Sequence, residues 1–195
     1  VGVASNATVE IVNKIYATEG SIEIPASALK VKLDFAQAPV TTSAAPLTIK
    51  EAAASEGTQL SLNLPTSAGG VYVKFDTPTT TVNVEGGNYK QIVASTAANT
   101  LVLGENTMVE DLVIVAGNVV LEGGKVTGSI TRDETNMDKM TYVYVESKKE
   151  LEGVTIGNGI KVLDNTKADY VTFSAEAEQT LTMSRAVETL EYSVD

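Results

Sequence analysis

Apolar and polar positions alternate in short runs along most of this chain. Apolar side chains recur at every second position in Leu60–Leu64 and Val71–Phe75. A period of two puts alternate side chains on opposite faces of a β-strand, and helical spacing fits it poorly. From about residue 58 the pattern predicts strands at Leu60–Leu64, Val71–Phe75, Thr80–Val84, Gln91–Ala94, Thr100–Leu103, Leu112–Val115, Val119–Leu121, Val126–Ile130, Thr141–Val145, Val154–Ile156, Ile160–Leu163 and Val171–Phe173.

One set of these strands recurs at a nearly constant spacing. Val84, Leu103 and Leu121 end similar runs, and roughly twenty residues separate each of them from the next. The step from Leu121 to Val145 is longer, and the step from Val145 to Leu163 returns to the shorter spacing. We expect the longer step to hold an inserted loop near 132–139.

A second set of strands lies between the members of the first. Its apolar markers are Ile92, Ile114, Ile130, Ile156 and Phe173. A repeat of about twenty residues with two or three strands has the length of one turn of a parallel β-helix, here called a rung. One rung cannot bury its inner face alone, and stacking the next rung upon it does so. The sequence therefore predicts an all-β fold, a right-handed parallel β-helix (solenoid).

Residues 1–57 are less regular. Pro25, Pro39 and Pro46 interrupt the strand candidates there, and proline is confined to strand ends and edges. Two interpretations stay open: residues 1–57 form a cap and irregular first rungs, or they form a separate small β-sandwich. Residues 58–195 are expected to form the solenoid, closed at its other end by a C-terminal segment.

The amino-acid composition limits the kinds of catalytic and metal sites that the chain can form. The chain is 43% hydrophobic and 5% aromatic, without tryptophan, so Val, Ile, Leu and Ala must fill the core. It also has no cysteine and no histidine, which excludes thiolate metal sites, a Cys nucleophile and a Ser-His-Asp triad. These absences favour a protein that is not an enzyme.

Net charge and hydropathy limit the classes of partner that the chain can bind. A net charge of −11 would repel nucleic acid and an anionic membrane surface, so neither is expected as a partner. No apolar run is long enough to predict a membrane span. The chain begins with Val1 instead of Met, which is consistent with removal of an upstream signal or anchor segment.

Five segments together resemble a known repetitive module. They are Thr100–Asn106, Glu110–Ile114, Gly117–Val119, Ile130–Asp133 and Asn136–Glu146. The module is similar to one in exported, often lipid-anchored surface proteins of Bacteroidetes gut bacteria, which are described as adhesion proteins or left uncharacterised. The resemblance covers about residues 75–147. It implies a β-helical fold and a cell-surface or periplasmic location, and it brings no catalytic residues with it.

Carboxylates suggest one candidate metal site. Glu85, Glu105 and Glu122 recur at similar places in successive rungs. If they stack, their mutual repulsion would favour a bound cation such as Ca²⁺. The alternative is a solvated outer face where each Glu follows a strand into a turn, and in that case no cofactor is expected.

Other candidates concern binding and stacking. The charge-dense cluster Arg132, Asp133, Glu134, Asp138 and Lys139 lies on the expected loop, where it serves either as a binding epitope or for solubility.

Tyr142 and Tyr144 share one strand face, where they would stack on a sugar ring or pack against a neighbouring rung. Asn99, Asn118 and Asn158 precede strands of the first set. They would form a ladder of stacked amides or simply occupy turns.

Two functions follow from these observations. The first is a non-catalytic structural or adhesive module that presents a rigid face to a glycan or a surface protein. The second is a carbohydrate-active enzyme of the β-helix type, a polysaccharide lyase or hydrolase, or a degenerate carbohydrate-binding relative of one.

Overall fold

The fold is built from β-strands alone in the part of the chain that a computed structural model describes. That part comprises residues 7–11, 21–24, 28–51, 58–66, 70–96, 101–133, 135, 143–147, 151, 153–164, 170–175, 182–183 and 189–194. The strands are β1 Ala7–Ile11, β2 Ser21–Ile24, β3 Ala28–Asp34, β4 Leu47–Glu51, β5 Gln59–Asn63, β6 Val71–Thr77, β7 Thr81–Thr96, β8 Leu101–Ala116, β9 Val119–Leu121, β10 Lys125–Arg132, β11 Val143–Ser147, β12 Thr155–Ile156, β13 Ile160–Asp164, β14 Tyr170–Ala175, β15 Thr182–Met183 and β16 Thr189–Val194.

Successive strands join two ladders in turn. Ladder I runs β1-β3-β5-β7-β8-β9-β11-β13-β15, and ladder II pairs β2, β4, β6, β7, β8, β10 and β12. The long strands β7 and β8 belong to both, so the ladders form one 14-stranded sheet, while β14 and β16 form a separate pair. Every pairing among the described strands is parallel. The predicted all-β class is therefore confirmed.

The inner face of ladder I is a column of apolar side chains. Leu33 pairs with Leu62, Leu62 with Val84, Val84 with Leu103, and Leu103 with Leu121. All five are buried, at 1% exposure or less. The expected alignment of Val84, Leu103 and Leu121 is confirmed, and burial of such columns supplies the main stabilisation of the fold.

Beyond Leu121 the predicted alignment is wrong. The partner of Leu121 is Ser147, two positions after Val145, and Val145 pairs with Val162 instead of Leu163. Counting along the sequence cannot place strands on either side of a long insertion, because the insertion does not fix where pairing resumes. Ser147 is fully buried and replaces the apolar residue of the column.

Ladder II has its own buried column, and two of the predicted markers lie outside it: Ile114, and Phe173 on β14, which pairs only with β16 among the described strands. The column contains Leu47, Val73, Ile92, Leu112, Ile130 and Ile156. Ile114 instead pairs with Ala94 and Arg132, one inward position further along the strand. Leu112 and Ile114 both face inward, so alternation alone could not decide which of them stacks on Ile92.

A glycine pair between the predicted strands Thr80–Val84 and Gln91–Ala94 lies inside one continuous strand. Gly86 and Gly87 fall within β7, at the place where the strand leaves ladder I for ladder II. Gly87 has a φ of 118°, and a Cβ there would lie 2.9 Å from the Cβ of Leu64. The pair allows a change of direction that a side chain would block.

The strands within residues 1–57 pair with later ones. β3 pairs with β5, and β4 pairs with β6, both in parallel. β1 and β2 pair with β3 and β4 in the same sheet. The division into a cap and a solenoid at residue 57 stays a prediction.

Tyr89 provides a pH-dependent test of the core. It is 3% exposed, and its hydroxyl donates a hydrogen bond of 2.8 Å to the carbonyl oxygen of Gly86. Burial raises the pKa of the Tyr89 phenol above its ordinary value of 10.0. We expect the free energy of unfolding to fall as the pH rises above 10.0, because only the unfolded chain then releases this proton.

Tyr89→Phe should remove the part of the loss of unfolding free energy at alkaline pH that comes from the Tyr89 phenol. At neutral pH the variant is expected to be less stable by about 1 kcal/mol, since the Gly86 carbonyl loses one of its two donors and keeps only the Leu64 amide, at 3.2 Å. Urea unfolding at neutral pH and at alkaline pH measures both effects. Tyr144→Phe, on an exposed ring, is the matched control, and its free energy of unfolding should fall with rising pH as much as that of the parent protein. An equal fall in the free energy of unfolding between neutral and alkaline pH for Tyr89→Phe and the parent protein would contradict the prediction.

Candidate functional site

Tyr144 is the exposed aromatic residue of the predicted binding set. It lies on β11, is 42% exposed, and pairs with Lys161 of β13. The Lys161 Nζ lies 5.8 Å from the centre of its ring, within cation–π range. The Lys161 ammonium therefore lies over one face of the Tyr144 ring, which reduces the ring area available for a sugar to stack on. Tyr142 lies outside the described residues.

Arg132 ends β10 and Asp133 follows it, where the predicted insertion begins. Arg132 occupies the inward position that pairs with Ile114, and a Cβ built on Gly159 would overlap its guanidinium group. The Asp133 amide donates 2.8 Å to the Ile114 carbonyl, and its Oδ1 accepts bonds from the amide (2.9 Å) and hydroxyl (2.5 Å) of Thr135.

The Arg132 guanidinium therefore lies against Gly159, just before β13, and the Asp133 carboxylate holds the turn that leads to Thr135. Glu134, Asp138 and Lys139 lie outside the described residues, so the binding role predicted for this cluster stays a prediction.

The three glutamates predicted as a metal row are exposed but differ in register. Val84, Leu103 and Leu121 align, and the next paired positions are Gly86 and Asn106. One residue, Glu85, lies between Val84 and Gly86. Two residues, Gly104 and Glu105, lie between Leu103 and Asn106. Gly104 therefore lies beside Glu85, and a Cβ on Gly104 would lie 3.6 Å from the Glu85 Cα.

Glu105 is the extra residue of this bulge, so it does not stack on Glu85. Glu122 follows Leu121, and its amide donates 2.9 Å to the Leu103 carbonyl. Within the described ranges, no three carboxylates, histidines or cysteines gather closely enough to hold a metal ion. Calcium binding stays a prediction.

The Asn118 side chain contacts β11, the strand that follows the predicted insertion. Its Oδ1 accepts a hydrogen bond of 3.1 Å from the Tyr144 amide. The amide ladder predicted for Asn99, Asn118 and Asn158 stays a prediction. Asn99 lies outside the described residues.

A stacked polar column does occur elsewhere. Asp34 pairs with Asn63, Asn63 with Gly86, and Gly86 with Asn106. The Asn63 Nδ2 donates 2.9 Å to the Asp34 Oδ1. Gly86 leaves room for this amide, because a Cβ there would lie 2.8 Å from the Asn63 Oδ1.

A row of polar side chains on the outer face of ladder II was missed. Tyr72, Gln91, Asp111, Ser129 and Thr155 pair in that order, one from each of β6, β7, β8, β10 and β12. All five are at least partly exposed. We call this set the polar row. Its members lie far apart in the chain, one on each strand, so only the register of the strands reveals them.

Comparisons of this chain with models of protein families, with curated proteins and with solved structures found no match. Among the described residues, no helix is long and apolar enough to cross a membrane.

Proposed function

We propose that the chain is a right-handed parallel β-helix. Consecutive strands enter ladder I and ladder II alternately, and each new strand pairs in parallel with the strand one repeat earlier. A chain that repeats this step traces a coil with one strand of each ladder per turn. Connections between parallel strands of one sheet are almost always right-handed, because of the intrinsic twist of strands, and this supports the handedness.

This fold supports a non-catalytic structural or adhesive module. The carrying observation is the buried column of ladder II, which continues without a break from Leu47 to Ile156. A dry column of close-packed side chains holds the outer face in a fixed shape, so that outward residues are positioned for a partner at little entropic cost. The module then presents this rigid face to a glycan or a protein.

The proposed location is the cell surface or the periplasm of a bacterium. It depends on the resemblance of residues 75–147 to the repetitive surface module. A membrane-impermeant amine reagent tests it on intact cells and on cells whose periplasm is opened by osmotic shock, because a surface or periplasmic chain is then modified before the cells are lysed and a chain inside the cytoplasm only afterwards.

Binding without turnover is the test of the function. The purified chain is passed over immobilised glycans and extracellular matrix proteins, and release of reducing sugar ends is followed in parallel. We expect saturable binding to at least one ligand with no release of sugar, and heat-unfolded protein as the control should bind none. Release of sugar ends without stable binding would contradict the proposal and support a carbohydrate-active enzyme.

A further inference from the structure

The turn between β12 and β13 contains the only Asn-Gly pair of the sequence, Asn158–Gly159. In such a pair the backbone nitrogen of the glycine can attack the side-chain carbonyl carbon of the asparagine and close a five-membered ring, because the glycine has no side chain that shields its nitrogen. The residue after every other asparagine of the chain carries a Cβ. Chemistry at the backbone therefore distinguishes Asn158 from the other asparagines.

The fold requires glycine at position 159. Gly159 has a φ of 72°, in the left-handed region that residues with a side chain rarely adopt. A Cβ built there would also overlap the guanidinium group of Arg132. Since both the backbone conformation and the contact with Arg132 exclude a larger residue, the structure itself retains the reactive half of the pair.

Hydrogen bonds hold the chain on both sides of Asn158. The Gly157 amide donates 2.8 Å to the carbonyl oxygen of Ile130 in ladder II, and the Gly159 carbonyl accepts 2.9 Å from the amide of Val143 in ladder I. Asn158 lies between these two anchors, where the chain crosses from one ladder to the other. It is partly exposed, so water reaches it.

A second turn gives a matched comparison. Asn118 also follows a glycine and precedes a strand of ladder I, and it is also partly exposed. The next residue there is Val119, which is β-branched and only 1% exposed. Its branched side chain crowds the backbone nitrogen, and the Asn118 Oδ1 accepts a hydrogen bond from the Tyr144 amide. The same attack is therefore hindered at Asn118.

We propose that Asn158 undergoes spontaneous deamidation through a cyclic imide formed with Gly159. A bond forms between the Gly159 nitrogen and the Asn158 Cγ, the bond from Cγ to Nδ2 breaks, and Nδ2 leaves as ammonia with the proton that the Gly159 amide gives up. Water then opens the imide, adding its hydroxyl to a carbonyl carbon and its hydrogen to the nitrogen. Opening at the side-chain carbonyl yields aspartate, and opening at the backbone carbonyl yields isoaspartate.

Both products change the turn. Each adds a carboxylate one residue away from the glycine that the Arg132 guanidinium contacts. Isoaspartate also routes the backbone through its Cβ, which lengthens the chain by one carbon between the anchors at Gly157 and Gly159. Because both anchoring hydrogen bonds have ordinary lengths, the longer chain must distort at least one of them, and we expect the fold to lose stability. This inference does not depend on the proposed adhesive function.

The experiment ages the full chain and an Asn158→Gln variant in mildly alkaline buffer, each folded and in urea. Glutamine keeps the amide but would have to close a six-membered ring, which is slower. Peptide mass spectrometry follows the change from amide to acid at Asn158 and Asn118, and enzymatic methylation detects isoaspartate. Thermal unfolding is measured before and after ageing.

We expect acid to form at Asn158 of the folded parent protein at least about tenfold faster than at Asn118, which corresponds to about 1.4 kcal/mol in activation free energy. Isoaspartate should accompany it. The unfolding midpoint of the parent should fall on ageing by about 2–4 °C, the shift that ~1 kcal/mol produces in a chain of this length. The midpoint of Asn158→Gln should not change.

Three results would overturn the inference. Conversion in urea without conversion in the folded chain would show that the turn prevents the attack. Conversion at Asn158 that is no faster than at Asn118 would show that the Asn-Gly pair is not a special site. An equal fall in the midpoint of Asn158→Gln would show that ageing damages the fold elsewhere. Each of these results leaves the adhesive function to its own test.

Discussion

Leu103→Ala is expected to lower the free energy of unfolding by about 2–5 kcal/mol. Leu103 is fully buried, and it lies between Val84 and Leu121 in the inner column of ladder I. Truncation removes apolar area from both contacts at once. The backbone on either side is held by parallel pairing, so the cavity that remains cannot close easily.

Urea unfolding followed by circular dichroism measures this effect. The matched control is Val102→Ala on the same strand, because Val102 is partly exposed and faces outward. It should cost less than about 1 kcal/mol. Equal losses from the two variants would mean that Leu103 does not face a buried interior.

Gly124→Ala is the second substitution with a large expected effect, about 1–3 kcal/mol of destabilisation from overpacking. A Cβ at position 124 would lie 2.7 Å from the Cβ of Leu103 and 3.0 Å from the carbonyl oxygens of Leu103 and Gly104. The Gly124 amide also donates 3.1 Å to the Leu103 carbonyl. Relief of the clash would therefore require the backbone to move and this hydrogen bond to lengthen.

Gly153→Ala separates steric crowding from backbone strain. Gly153 has a φ of 72°, but nothing lies within 4 Å of a Cβ built there. Its substitution should cost only about 1–2 kcal/mol, from the left-handed conformation. Thermal unfolding should rank Gly124→Ala as at least as damaging, and Gly124→Ser as worse still. A Gly124→Ala variant as stable as the parent would show that the backbone at Gly124, just before β10, does not lie so close to Leu103 of β8.

The sequence predicted those parts of the fold that depend on alternation and regular spacing. Val84, Leu103 and Leu121 end runs of equal pattern at a nearly constant spacing, and the structure aligns them. The spacing could not place Val145, since pairing resumes two positions later than counting suggests. Insertions and bulges set the register through backbone geometry, which the hydrophobic pattern does not encode.

The candidate sites were less predictable for a related reason. We selected Arg132 and Asp133 because charged residues are dense there, but the Arg132 guanidinium lies against Gly159 and the Asp133 carboxylate bonds to Thr135. The spacing of Glu85 and Glu105 suggested a stack, but a one-residue bulge separates them. A face of this parallel sheet takes one residue from each strand, so its members are far apart in sequence. They can be recognised only after the strand register is known.

Disulfide trapping of paired positions tests the central claim, that successive strands stack in parallel and in this register. The chain has no cysteine, so engineered pairs form without competition. Asn83→Cys with Val102→Cys joins paired outward positions of β7 and β8, where Cα atoms about 5 Å apart permit a disulfide. Asn83→Cys with Val120→Cys spans two steps, about 10 Å, which is too far. Mass spectrometry of non-reduced peptides should find the cross-link in the first pair and not in the second. Absence of the first cross-link, or equal cross-linking of both pairs, would contradict the stacked parallel arrangement.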